Sequence, residues 1–378
     1  MELFTQVTGE DLNWFFNQWF LNSGHPSLKI QHKYDSDIKK LTLEVIQEQD
    51  QETAPLYILP ITLEVHANNI KEFEILVDKK KQTFSFDIEE APMWVNFDKK
   101  KMLLTKKTEY KEAKEWAYQF THANTYVDKY ESLEALTLTK DKNLFVSIIK
   151  KGLSDSFWKI RWLALDKVFS LDKEDAMELK PLVLDLAVGD SSSEVKAHAI
   201  YTLAAFFESK EWEAYLAAIK DSSYSVAAEG LYAITMLSPE EALPFAKELA
   251  KNAKGDLLFA IMEVYSLYGK TETENRFFKH CLHSISNYDL PEATTLYTNF
   301  LINQKPVFKE ENINFIVEIA VKGEPWWQRL VAIQNLVRIK EKMKENNEKT
   351  NKIEEILEEI LAQEKNQQVL MLLYSIID

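Results

Sequence analysis

The hydrophobic period changes once along this chain, and that change limits the fold more than any other feature. From residue 27 to about 106, apolar and polar residues alternate: Leu28, Ile30, His32 and Tyr34; Leu41, Leu43 and Val45; Ile61, Leu63 and Val65. A period of two places every second side chain on one face of a strand. After Thr108 the period becomes 3.6 and stays so to the end. The expected class is multidomain and mainly α: a small β-sandwich followed by an α-helical, HEAT-like solenoid.

Within the alternating part, Phe73, Ile75 and Val77 are expected to pair with Phe84, Phe86 and Ile88 as a hairpin across residues 78–81. Met93, Val95 and Phe97 read as a late short strand, and 102–104 as another. Six to eight short strands over about 80 residues fit a sandwich. His66, between Val65 and Ala67, reads as a half-buried strand histidine.

The helical part repeats itself. A polar turn leads into a helix carrying a basic residue, with apolar residues four and seven positions later: Arg161 with Leu165 and Val168, Lys196 with Ile200 and Leu203. Lys129 with Leu133 and Leu136, and Arg329 with Ile333 and Leu336, fit the same frame; Ala227 holds the basic slot before Leu231 and Ile234. Turn acids Asp155, Asp190, Asp221, Asp256, Asp289 and Glu324 recur 31 to 35 residues apart, though the units at 256 and 289 fit poorly inside. Such periods mark stacked helical hairpins, each unable to cover its apolar face alone. A charged stretch at 341–352 reads as a solvated turn or helix end. An amphipathic helix from Ile353 and an apolar cap over 369–377 follow.

Ahead of the strands lies a short aromatic helix. Thr8 with Asp11 reads as its N-cap, and Gly24 with Pro26 as its end. Leu12, Phe15, Phe16, Trp19 and Phe20 fall at i, i+3, i+4, i+7 and i+8. Each aromatic has about 150–250 Å² to bury, so this face asks for a partner.

Three strings, Thr8-Gly9-Glu10-Asp11-Leu12, Phe15-Phe16-Asn17-Gln18-Trp19-Phe20 and Gly24-His25-Pro26-Ser27-Leu28, resemble the end of the catalytic domain in the aminopeptidase N family of zinc metallopeptidases. The resemblance implies that residues 1–26 are the last helix of a catalytic domain, 27–107 a β-sandwich and 108–378 the helical domain that closes over a peptide-binding cavity. Phe15, Phe16, Trp19 and Phe20 would then face the chain's own catalytic domain. The implied partners are that domain and a peptide substrate.

The family's chemistry needs H-E-x-x-H, two imidazoles on one helical face with a glutamate base between them, and a further Glu ligand. Of seven histidines here none is followed by Glu, and no glycine has Met two residues on, so the family's G-x-M-x-N motif is absent too. No catalytic or metal residue can be carried over; the expected cofactor is zinc in a parent enzyme and none in this chain. The reading is a non-catalytic C-terminal part lying after the active site. The alternative is a stand-alone HEAT-like scaffold for a protein or peptide partner.

Composition narrows the partners. The chain has 378 residues, 46% hydrophobic and 12% aromatic, enough for two or three folded domains. A net charge of −15, with only four Arg among 45 basic residues, argues against nucleic acid. No uncharged apolar run reaches the roughly 18 residues of a membrane span, and residues 1–5 lack the basic start of a leader. A soluble protein of the cytoplasm or periplasm is expected. The single Cys281 excludes internal disulfides.

Other constellations are weaker. His280 and His283 flank Cys281 at helical spacing, but zinc needs three or four protein ligands and no third is assignable. Arg161 and Arg329 are candidates to line a peptide groove; pairing with a turn acid of a neighbouring unit is the commoner use of that slot. Trp326 and Trp327 open a helix, one ring suited to core and one to surface. An uncovered aromatic helix also predicts self-association.

Overall fold

The computed structural model describes residues 6, 7, 9–307 and 309–377, with side chains to residue 372. It is mainly helical, with a small β region followed by a helical solenoid. The chain forms two compact units, Met1–Ala176 and Met177–Asp378.

In the first unit, helix α1 (Asn13–Trp19) precedes seven strands: β1 (Ser27–Asp35), β2 (Lys40–Gln47), β3 (Leu59–His66), β4 (Ile70–Val77), β5 (Lys81–Asp87), β6 (Trp94–Asn96) and β7 (Lys106–Tyr110). One sheet has the order β5-β2-β1-β7, the other β4-β3-β6. The alternating residues read from the sequence are the inward ones. Leu28, Ile30, Leu41, Leu43, Val45, Ile61, Leu63 and Val65 are almost fully buried and join one cluster fed by both sheets.

Two strand expectations need correction. Strand β4 pairs with β3, and β5 pairs with β2, so residues 78–81 form no hairpin but carry the chain from one sheet to the other. The Gln82 side chain holds this crossover, accepting from the backbone N–H of Asp78 and Lys79 at 2.7 and 2.9 Å. Phe73 and Phe86 still meet, at 4.5 Å between ring centroids, but without strand pairing. Residues 102–104 are not a strand. The last strand is instead β7, parallel to β1, with Leu28 opposite Lys107 and Ile30 opposite Glu109. It runs to Tyr110, past Thr108, after which the helical period was expected to begin.

Helices α2 (Ala113–His122), α3 (Tyr126–Leu136), α4 (Lys142–Leu153), α5 (Trp158–Val168) and the short α6 (Lys173–Ala176) complete this unit. Capping side chains set their starts: Thr125 Oγ1 accepts from Asp128 N at 3.1 Å, and Asp141 Oδ1 from Leu144 N at 3.0 Å.

The second unit alternates helices of two layers. One layer holds α8 (Ser193–Tyr201), α10 (Tyr224–Leu237), α12 (Asp256–Tyr268), α14 (Leu290–Ile302) and α16 (Trp326–Glu345), each packed on the next. The other holds α7 (Lys180–Gly189), α9 (Trp212–Ala218), α11 (Pro239–Leu249), α13 (Glu272–Ser284), α15 (Glu310–Lys322) and α17 (Asn351–Gln363). A last helix, α18 (Gln367–Ile377), packs on α16 through residues that include the buried Val369. The side chains of 373–377, part of the expected cap, lie outside the described residues.

The repeat frame has a direct physical meaning. In both units, Leu133, Leu136, Leu165, Val168, Ile200, Leu203, Leu231, Ile234, Ile333 and Leu336 are all completely buried. The turn acids launch the helices: Asp155, Asp190 and Asp221 each accept, through Oδ1, the backbone N–H two residues on, at 2.8 to 2.9 Å. Residues 341–352 are a helix end, a turn and the start of α17. Trp326 and Trp327 are both half-buried.

Candidate functional site

Helix α1 is shorter than its aromatic run. Thr8 lies outside the described residues; Leu12 stands at the N-cap without a capping side chain, and Asp11 accepts from Asn13 N at 2.9 Å just ahead of the helix. The helix ends at Trp19, and the chain then turns at Gly24, whose φ is +85°. A Cβ at Gly24 would stand 2.6 Å from Ala54 Cβ, so both the backbone angle and the close approach require glycine.

The helix docks by a residue that the apolar pattern does not mark. Gln18 is its buried side chain, and its amide grips the Ile58 backbone from both sides: Nε2 donates to the carbonyl and Oε1 accepts from the N–H, each at 2.9 Å. Trp19 follows Gln18 inward and packs on Tyr57 at 5.2 Å between centroids.

The other rings form a chain along the helix: Phe15–Phe16 at 5.6 Å, Phe16–Phe20 at 5.3 Å and Phe15–Phe20 at 6.1 Å. Phe16 is half-buried, whereas Phe15 is 38% and Phe20 67% exposed. Beside them, Trp14, Phe15, Trp19, Ile58, Met102 and Leu104 wall an apolar groove of about 470 Å³. Met102 and Leu104 are 78% and 76% exposed. An apolar surface of this extent is the kind that a partner covers. The four aromatic residues singled out in the sequence therefore divide, with Trp19 turned to the sheets and Phe15 and Phe20 turned outward.

The two arginines are engaged. Arg329 makes a fork to Glu364, Nε to Oε2 at 2.8 Å and Nη2 to Oε1 at 3.1 Å, and donates from Nη1 to the Gly323 carbonyl at 2.9 Å. Arg161 donates to the carbonyls of Asp155 and Ser156 at 2.8 and 3.1 Å. Two other basic slots reach the acid of the following turn, Lys129 to Asp155 and Lys196 to Asp221, both at 2.5 Å.

A charged seam that sequence reasoning did not find joins the sheets to the first helices. Strand β7 directs Lys107 and Glu109, with Lys111 just beyond its end, to one side. Glu109 lies between Lys107 Nζ at 2.5 Å and Lys111 Nζ at 2.6 Å. Lys107 also meets Glu131 of α3 at 3.0 Å, and Lys111 donates to Gln119 of α2 at 2.8 Å. Burial alone would raise the Glu109 pKa, but Lys111 and Lys107 hold it down at about 2. Burial pushes Glu131 up, against the pull of Lys107. Nearby, Lys101 pairs with Asp128 at 2.7 Å, and His32 with Glu115 at 3.2 Å. The legible signal was Lys107-Thr108-Glu109-Tyr110-Lys111, a polar alternation.

Histidines do not gather into a metal-binding set. His66 is buried, paired with Glu64 at 2.9 Å and packed at a tilt on Trp94, 4.5 Å between centroids. Cys281 is fully buried, its thiol pushed up to about 12 by burial, while His280 and His283 are exposed. Among the described residues no three His, Cys, Asp or Glu side chains converge on a metal position. Among the described residues no helix is long and apolar enough to cross a membrane.

Comparison with solved structures finds Legionella pneumophila aminopeptidase A, determined in complex with aspartic acid, at a TM-score of 0.51 and 14% identity. The likeness covers 96% of this chain and 52% of that one. The chain shares that aminopeptidase's fold over about half of its length. At this identity the likeness shows the fold alone. No family model and no curated protein matches the chain.

Proposed function

We propose that this chain is a non-catalytic part of a zinc aminopeptidase, shaping and closing the peptide-binding cavity over an active site that it does not itself contain. The observation that carries the reading is the asymmetry of the structural likeness: nearly all of this chain lies on about half of an aminopeptidase. The sequence, with no H-E-x-x-H, points the same way. In this reading residues 1–26 end a catalytic domain, 27–107 are a spacer and 108–378 the closing helical domain. Phe15 and Phe20 are the contact to the catalytic domain, with Phe16 and Trp19 behind them. Peptide is the substrate of the assembled enzyme, and zinc belongs to the catalytic domain.

The test is association. A separately produced catalytic module bearing H-E-x-x-H, from the same source, is mixed with this chain and followed by sedimentation velocity. A complex is expected, and Phe15→Asp/Phe20→Asp should weaken it at least about tenfold, because a charge cannot be buried unpaired in an apolar contact. Both rings are exposed, so the variant should keep its fold. No complex, or one indifferent to the two substitutions, would overturn the reading.

A further inference from the structure

The second unit has a cleft unrelated to the aromatic helix. Lys247 near the C-terminal end of α11, with Ala250 and Lys251 in the turn just past it, lines one side. Helix α13 supplies Thr273, Arg276, Phe277 and His280, at i, i+3, i+4 and i+7. The second set's spacing puts it on one side of α13, and both sets line a cavity of about 580 Å³. That volume lies in the range of small-molecule sites.

The floor is aromatic. Phe277 stands edge-on to the buried Tyr265, 5.4 Å between centroids, and Ala250 leaves room above them.

Two of the rim's cations, Lys251 and Arg276, have no carboxylate partner among the described residues; the Arg276 Nε donates only to the Glu272 backbone carbonyl, at 3.4 Å. The one carboxylate lining the cleft, Glu274, is buried, with Oε2 held by backbone N–H groups and Oε1 left with only the Lys247 ammonium beside it. It accepts from Lys270 N at 2.9 Å and Thr271 N at 2.5 Å, and it pairs with Lys247 at 3.1 Å. The helix dipole of α11 accounts for its terminal lysines, but it offers Arg276, on the first half of a different helix, nothing. In a chain of net charge −15, cations grouped over an apolar floor are a local exception.

We propose that this cleft binds an amphipathic anion: a phosphate or carboxylate head held by Arg276 and Lys251, on an apolar body of small-molecule size lying against Phe277. The proposal is independent of the aminopeptidase reading and stands or falls separately.

Calorimetric titration of the full chain tests it, with octyl phosphate below its micelle concentration, octanoate, inorganic phosphate and octanol as probes. Octyl phosphate and octanoate should bind saturably at one site; inorganic phosphate, without the body, and octanol, without the charge, should bind at least about tenfold more weakly. Lys251→Ala/Arg276→Ala should lower octyl phosphate affinity about tenfold or more with the thermal midpoint unchanged, since both side chains are exposed. Absence of saturable binding by either amphipathic probe, or undiminished binding by the double variant, would overturn the proposal.

Discussion

Replacing Glu109 by Gln should be among the most damaging single changes in the first unit. The Glu109 carboxylate is 4% exposed, between ammonium groups that are 14% and 3% exposed at 2.5 and 2.6 Å. Neutralising it leaves two buried cations facing a group that cannot compensate them, and breaking a buried pair from one side costs about 3–5 kcal/mol. Lys107 keeps Glu131 at 3.0 Å, and Lys111 keeps Gln119 at 2.8 Å and the Trp116 ring at 4.4 Å. The lower end, about 3 kcal/mol, is therefore expected. For a region of this size that is roughly 6–12 °C in thermal midpoint.

The pH dependence carries a second signature. The folded pKa of Glu109 lies below its ordinary 4.5, at about 2. Its stabilisation is thus complete above about pH 4.5 and lost as pH falls toward 2. Glu131 is shifted the other way and opposes folding as pH rises past its ordinary value; because Glu109 adds to that upward shift, Glu109→Gln also relieves Glu131, which makes the loss at neutral pH smaller without changing its sign. Calorimetry from pH 7 to pH 3 should show the difference between the native chain and Glu109→Gln shrinking with acid. A loss below about 1 kcal/mol, or one independent of pH, would refute the argument that buried charge pairing closes this seam. Lys107→Met/Glu109→Leu/Lys111→Met/Glu131→Gln, which removes the four charges together, should cost far less than the single change.

Two further changes probe local geometry. Gly24→Ala should cost about 2–4 kcal/mol in urea denaturation, from positive φ and the 2.6 Å contact with Ala54, and adding Ala54→Gly should return only the steric share. Arg329→Ala should cost about 3 kcal/mol by breaking the buried fork to Glu364; Arg329→Lys should recover less than half of it, because an ammonium cannot span both carboxylate oxygens.

Much of this fold was readable from period alone. Alternation at Leu41, Leu43 and Val45 and the four-and-seven spacing behind Lys129, Lys196 and Arg329 identified residues that are completely buried. Period could not say which sheet a strand joins. Phe73 to Val77 and Phe84 to Ile88 looked like hairpin partners because both alternate across a short polar turn, yet that turn crosses between sheets. Strand β7 was missed because its inward side chains are lysine and glutamate, which carry no hydrophobic signal and are buried only by pairing. Gln18 was missed for a related reason: what buries it is the Ile58 backbone, a partner 40 residues away. The turn acids were legible because an Asx turn is local chemistry, as at Asp155 and Asp221.

The most direct measurement is an aminopeptidase assay of this polypeptide on a panel of aminoacyl fluorogenic substrates, with zinc supplied and bound zinc counted in parallel. The account predicts no zinc-dependent release of product and no stoichiometric tightly held zinc, since no three ligating side chains converge among the described residues. Sustained, chelator-sensitive hydrolysis with one zinc per chain would contradict it.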